Sequence, residues 1–426
     1  MAVLLSLAEH LLNVKDVEIL SCDMSELKSK NIIVLDIIPK TQNICPVCGR
    51  LCPGYDYASK KPRLWRANDW NGTQVMLRYR PQRIRCPKHN VITESVPWAY
   101  QKSGFTYDFE NMILWLALAT SRSAVSRLMR IDWHTIDRCI ERFLSREIDV
   151  TDTSRFDGLR HIAIDETSYQ KRHKYITCVL NLETNEIVWV GKGHGLSIIK
   201  KFFEQLTPEQ RSNIKTVSGD GARWIDACVT TYVPHAKRCA DPFHVILWCS
   251  AMLDKVRLRA SRELKKNGKK AKAKEVKGAQ IALGKDPSEL SEKQKAQIDL
   301  ITQECPELYQ AYQAKEDLRQ ILSMKENPEA AKLALSDWCE RMKNSDMREL
   351  QELVEKISRH YQNICNAIQF GKNSARLEAI NNGIKLIIRN SYGFRNTEHL
   401  AHHVRFSWAR VPVELLHHSH HTMMAA

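Results

Sequence analysis

The chain has 426 residues, 43% hydrophobic and 27% charged, an ordinary globular composition long enough for several domains that bury cores without disulfides. Lysine and arginine outnumber aspartate and glutamate 64 to 49, a formal charge of +15 that favours a polyanionic partner. The longest apolar run, residues 112–119, falls far short of the roughly 20 residues a membrane span needs. The thirteen scattered cysteines, an odd number, argue for a reducing cytoplasm rather than a disulfide framework.

The opening MAVLLSLAEHLL is interrupted by Glu9 and His10 and lacks the basic start and small-residue cleavage site of a signal peptide; it reads as a short amphipathic helix. Residues 31–99 hold short apolar runs, IIVLDII and VMLRYR, bounded by Pro, Gly and Asn, which predict strands. Two knuckles lie in this region, Cys45-Pro-Val-Cys48 and Cys86-Pro-Lys-His89. Three thiolates and one imidazole at two-residue spacings make a closed tetrahedral shell for a structural zinc, with Cys52 as a spare sulfur. Residues 60–88 carry nine basic residues against Asp69 alone, interleaved with Trp65, Trp70 and Tyr79. Arg63, Arg66, Arg78, Arg80, Arg83 and Arg85 are therefore candidate DNA contacts, with Arg78 and Arg80 expected on one strand face, suited to phosphates.

Beyond residue 107 the apolar period becomes helical. The stretch SRSAVSRLMRIDWHTIDRCIERF predicts two helices and a tight turn, with Ser123 capping the first and Asp132 the second. Val125, Leu128, Met129, Ile136 and Ile140 are expected inside. His134, Thr135, Arg138 and Arg142 are expected outside, facing a DNA groove as in a helix-turn-helix.

From residue 160 the order becomes β-β-β-α-β-α-β-α. Asp165 ends the strand HIAID and Asp220 ends IKTVSGD. Two such carboxylates on neighbouring strands can share divalent metal ions, Mg2+ or Mn2+, that activate a nucleophilic oxygen in phosphodiester displacement. Glu378, on an amphipathic helix after residue 375, is the candidate third ligand. Asp241 and His244, in DPFH, sit beside the same edge as auxiliary residues, Asp241 also being a natural helix cap. Glu166 is expected to point away. Residues 250–370 hold no convincing strand and form a long helical region. Within it, residues 255–277 carry eleven basic residues against Glu263 and Glu275, and Lys265, Lys266, Lys269 and Lys270 are further candidate DNA contacts.

The set resembles bacterial insertion-sequence transposases of the ISL-three family. The pieces are CPVC…CPKH, the two-helix stretch, AIDET, SGD, DPFH and ARLEAINNGIKLIIRNSYGFRN, in the family's order and covering nearly the whole chain. The resemblance implies a multidomain α+β protein: a zinc-binding β-rich module (1–100), a helix-turn-helix (101–150), and a ribonuclease-H-like α/β catalytic domain (155–250). An all-helical insertion (251–370) interrupts that domain before its last part (371–426). It implies a DDE triad of Asp165, Asp220 and Glu378, Asp241 being the competing second carboxylate. It further implies a DNA transposase that binds the terminal inverted repeats of its own element and performs metal-dependent cleavage and strand transfer. The expected partners are double-stranded DNA at element ends, flanks and target, and further copies of the chain, as a homodimer or larger. The expected location is cytoplasmic, nucleoid-associated when on DNA. The rival readings are a DNA-binding regulator with an inactive catalytic domain, and a ribonuclease-H-like nuclease without strand transfer.

Overall fold

In the computed structural model, residues 11–409 are described, apart from 13, 149–152, 171–173, 325 and 371–374, together with 411 and 413. The expected N-terminal helix falls mostly outside them. Two compact units are present, one from the N terminus through Leu144 and the other Ser145–Ala409.

The first unit begins with β1 (Val17–Asp23), the one-turn α1 (Leu27–Lys30), β2 (Ile32–Pro39), β3 (Gly54–Tyr57), β4 (Arg63–Trp70), β5 (Thr73–Tyr79), β6 (Gln82–Cys86) and β7 (Asn90–Thr93). β1, β2, β5 and β4 form one sheet in that order, and β3, β6 and β7 a second. The first sheet buries Leu35, Ile37, Trp65, Val75, Leu77 and Trp98. Asn71 and Gly72 both have positive φ and close the β4–β5 hairpin, the turn chemistry that matches strand twist. β1 was not anticipated, because a register shift between Ile19 and Ser21 breaks its alternation. Then come α2 (Tyr107–Ala119), α3 (Arg122–Met129) and α4 (Trp133–Glu147).

The second unit holds β8 (His161–Gln170), β9 (Lys174–Asn181), β10 (Glu186–Lys192), α5 (Leu196–Phe203), α6 (Pro208–Asn213), β11 (Thr216–Gly219), α7 (Arg223–Tyr232), β12 (Lys237–Ala240) and α8 (Pro242–Lys266). This is the expected order, plus the short α6 with its Thr207–Gln210 capping box. The sheet runs β10-β9-β8-β11-β12; β10, β9 and β8 pair antiparallel, while β8, β11 and β12 pair parallel.

Strand alternation gives the sheet two apolar faces. Ile162, Ile164 and Val179 pack with Phe202, Phe203, Ile225 and Cys228 of α5 and α7. A helical array follows: α9 (Lys270–Gly278), α10 (Gln280–Gly284), α11 (Glu292–Glu304), α12 (Pro306–Ser323), α13 (Pro328–Lys343), α14 (Arg348–Arg359) and α15 (Tyr361–Phe370). Its core includes Val256, Leu308, Leu318, Trp338, Leu350 and Ile364. α8 runs unbroken through the expected boundary at 250/251, with Val245 and Val256 in that same core. Finally α16 (Ala375–Asn390) and α17 (Thr397–Ser407) cover the other sheet face, where Ile380, Ile384, Leu400 and Val404 meet Ala163, Cys178 and Leu180.

Candidate active site and metal centre

The parallel register pairs Thr216 with His161, Val217 with Ile162 and Ser218 with Ala163. Carried two residues on, it sets Asp220 level with Asp165. Gly219 pairs with Ala240 across β11 and β12, which sets Asp241 level with both. Asp165 does not end its strand, as the sequence had suggested. β8 continues to Gln170 because it keeps pairing with β9; what stops at Ala163 is the pairing with β11.

Asp165 shares a sheet face with Ala163, the face that α16 covers. There Asn381 of α16 donates from Nδ2 to Asp165 Oδ2, and its Oδ1 accepts from Thr167 Oγ1 at 2.7 Å. Asp165 Oδ1 accepts from the Glu166 N–H at 2.8 Å. Asp220 Oδ1 accepts from the Ala222 N–H at 3.0 Å. Amide hydrogen bonds orient both carboxylates. Burial pushes the Asp165 carboxyl above the ordinary aspartate range, and the Asp220 charge adds to the shift. Two oxygen-donor side chains, level on adjacent strands, fit a hard divalent cation. Glu378 belongs to the first turn of α16, and its side chain lies outside the described residues.

Glu166 is engaged elsewhere, its Oε1 accepting from the Gly195 N–H at 2.8 Å. Asp241 caps α8, accepting from the Phe243 N–H at 2.9 Å, and His244 Nε2 lies 3.9 Å from Asp241 Oδ2. Asn381, three positions beyond Glu378, had no role assigned from the sequence. Arg238, in β12, donates from Nη2 to the Asp220 carbonyl, a contact not anticipated from the sequence.

The second centre lies in the first unit. The donor atoms of Cys45, Cys48, Cys86 and His89 all lie within 4.8 Å of one another. Cys45 Sγ and Cys86 Sγ are each 3.5 Å from His89 Nδ1, and Cys48 Sγ is 3.7 Å from Cys86 Sγ. Zinc–sulfur bonds of roughly 2.3 Å in a tetrahedron set sulfurs about 3.8 Å apart, so this cage fits zinc. Burial opposes ionisation of Cys86, but hydrogen bonds from the Lys88 and His89 backbone N–H groups and from the Cys45 and Cys48 side chains together bring the thiol down to about 7. Cys52 is buried nearby and stands outside the four-residue group.

In the helical hairpin, Ser121 rather than Ser123 caps α3, accepting from the Ala124 N–H at 3.3 Å. Arg130 turns the chain at φ 52°, and Asp132 accepts from the His134 N–H at 2.8 Å. Val125, Met129, Ile136 and Ile140 are buried, but Leu128 is 65% exposed, a correction to the expected core. His134 and Arg138 are exposed and Thr135 half-buried. Arg142 is corrected too: it holds the buried Glu110 carboxylate through two bonds of 3.0 Å.

Several other arginines expected on DNA are committed inside the first unit. Arg66 is 7% exposed and bonds the Arg130 carbonyl at 3.0 Å and Asp69 at 3.1 Å. Arg78 grips Asp36 at 2.6 and 2.9 Å, and Arg63 donates to the Ser103 carbonyl at 2.5 Å. Arg83 pairs with Asp56. Arg80 lies 3.9 Å over the Tyr57 ring and Arg85 5.0 Å over Tyr55. In the second unit Lys265, Lys266, Lys269 and Lys270 are exposed, Lys269 pairing with Glu304 at 2.7 Å.

Three family models cover these parts. One described as a transposase matches residues 162–404, a helix-turn-helix domain of transposase family ISL3 matches 94–144, and a zinc-finger of transposase IS204/IS1001/IS1096/IS1165 matches 41–89. They define a DNA transposase, an enzyme of the DDE type with a helix-turn-helix for DNA. Among curated proteins, the transposase for insertion sequence element IS1557 of Mycobacterium tuberculosis is 36% identical over 378 residues, 84% of this chain and 83% of the relative. The transposase for IS1001 of Bordetella parapertussis is 25% identical over 285 residues, 67% of this chain and 69% of the relative. The chain belongs to the ISL3 family of DDE transposases.

Proposed function

We propose that the enzyme binds the terminal inverted repeats of its own element and cuts and joins DNA strands at a centre made of Asp165, Asp220 and Glu378. The observation that carries this is the level pair Asp165 and Asp220 on adjacent strands, tied by Asn381 to the helix that bears Glu378. Glu378 stands three positions before Asn381, the spacing that puts two helix positions on one face. The strand order β10-β9-β8-β11-β12 supports a ribonuclease-H-like fold for this domain, with residues 251–370 as its insertion. The three carboxylates would hold a pair of Mg2+ or Mn2+ ions, which when bound supply charge stabilisation to the attacking and leaving oxygens.

This chain's own groups do the positioning. The Glu166 and Ala222 amides and the Asn381 side chain fix the direction in which the Asp165 and Asp220 oxygens point. Asp241 and His244, at the start of α8, are auxiliary to the same edge. Zinc at Cys45, Cys48, Cys86 and His89 holds the β3-β6-β7 sheet together. The helical hairpin meets the repeat through His134, Thr135 and Arg138. Joining two element ends calls for at least two copies of the chain, and the work belongs in the cytoplasm, on the nucleoid.

The test uses labelled end DNA and a target plasmid with Mg2+ or Mn2+. Glu378→Gln is expected to keep end binding and lose both cleavage and joining. Unchanged cleavage by that variant would remove Glu378 from the centre, and wild-type cleavage without joining would favour a nuclease.

A further inference from the structure

We propose that Arg238 is a positioning residue for Asp220. Its buried guanidinium gathers the backbone carbonyls at the ends of β11 and β12 and so sets where the Asp220 carboxylate stands. The proposal rests on the assignment of Asp220 to the catalytic centre and deepens it.

Arg238 lies within β12 and is 7% exposed. Its Nη2 donates to the carbonyl of Asp220 itself. Its Nη1 faces the carbonyls of Val217 and Gly219, each at 3.4 Å, and that of Cys239. The Nε donates to Asp226 Oδ1 of α7 at 3.1 Å. The Arg238 carbonyl in turn accepts from the buried Asn366 side chain of α15 at 2.9 Å. The guanidinium is thus fixed from α7 on one side and its backbone from the helical array on the other.

A buried guanidinium is costly unless its donors are used. Here they are spent on carbonyls along β11 and β12 and on that of Asp220, one residue beyond β11. Gly219 lets β11 close up on β8 and α7 at that point: a Cβ there would stand 2.9 Å from the Ile164 carbonyl oxygen and 2.8 Å from Ile225 Cδ1. With the Asp220 carbonyl held by Arg238 and its carboxylate held by the Ala222 N–H, the residue is fixed at both ends. Lysine, a single point charge without the planar fork, cannot replace this set of contacts.

The experiment measures cleavage of labelled end DNA as a function of Mn2+ concentration, with Mn2+ binding followed by calorimetry and folding by Tm. Arg238→Lys is expected to raise the Mn2+ needed for half-maximal cleavage by about 10-fold or more, while end-DNA binding stays at the wild-type level. Asp226→Asn, which leaves the guanidinium its carbonyls, is expected to move the curve the same way by less. Overlaying curves with a lowered Tm would reduce Arg238 to a purely structural residue and overturn the proposal. Should Arg238→Lys fail to fold, an unmoved Asp226→Asn curve overturns it alone. Asp220→Asn run in parallel separates the two claims. If it still cleaves, the assignment of the centre fails; if it is dead while Arg238→Lys matches wild type, only the role of Arg238 fails.

Discussion

Burial raises the Asp165 carboxyl above its ordinary range, with Asp220 adding to the shift, and this fixes the sign of a stability effect. A carboxyl whose folded value is raised contributes stability below its unfolded value and loses it as pH rises through the folded value. Without a cation, charging Asp165 is a net cost that a divalent ion offsets. Asp165→Asn removes the charge and also one accepting oxygen, so the pH trend reads more cleanly than the absolute Tm. The Tm of the variant minus that of wild type, measured without divalent ions, is expected to grow more positive as pH rises above the ordinary aspartate range, about pH 4. Mn2+ should raise the wild-type Tm and not the variant's. Cleavage by the variant should fall by roughly three powers of ten, the scale of several kcal/mol of lost charge stabilisation. At this scale the level placement of Asp165 and Asp220 on adjacent strands was legible because each follows a short apolar run. Asn381 and Arg238 were not, since Asn381 acts on a residue 216 positions away and the Arg238 donors meet carbonyls that only sheet pairing brings together.

Elements were legible where one pattern governed a whole segment, and illegible where a local irregularity or a distant partner decided. The parallel pairing with β11 stops at Ala163 while β9 carries β8 on to Gln170, so the apolar run HIAID marked only part of the strand. In the hairpin, periodicity placed Ile136 and Ile140 correctly, yet it could not tell outward arginines from inward ones. Arg122 pairs with the buried Asp137 across α3 and α4 and lies 5.0 Å from the Trp133 ring, and Arg142 serves Glu110, whereas Arg138 is exposed. Two substitutions separate these roles. Asp137→Ala should cost about 3–5 kcal/mol, since it strands a buried guanidinium, and should be read as a lower Tm. Arg138→Ala should leave Tm within error, weaken end-DNA binding and flatten its salt dependence by about one unit of slope. The zinc cage is a third element with its own test. Mass spectrometry of metal content should find one zinc per chain, and chelation should unfold the β3-β6-β7 sheet, since structural zinc contributes about 10–16 kcal/mol in small modules. Far-UV circular dichroism unchanged after chelation would remove zinc from the fold.

Over the whole molecule, the charge of +15 reads along the sequence as two basic stretches, but the fold redistributes it. Acids far away in sequence come in to meet the first stretch: Asp36 and Asp23 at Arg78, and Asp56 at Arg83. In the second, Glu352 meets Lys255, Glu307 and Glu349 meet Arg259, and Glu304 meets both Lys269 and Lys272. A sequence window counts the bases and misses these partners, so it overstates how much of each stretch is available to phosphate. The exposed Lys265, Lys266 and Lys270, around the junction of α8 and α9, are the better candidates. Lys265 and Lys266 also lie in the last turn of α8, where a cation favours the helix by only about 0.3–1 kcal/mol, so replacing them should barely alter stability. The triple variant Lys265→Ala, Lys266→Ala, Lys270→Ala should therefore keep its Tm and its zinc. Its affinity for long end-bearing DNA should fall, and the slope of log affinity against log salt should become shallower by about 2–3, as three lost phosphate contacts require. Lys272→Ala, whose ammonium is already occupied by Glu304, should change the slope by less than any of the three. Equal slopes for the triple variant and wild type would mean that the helical array carries its positive charge without touching DNA.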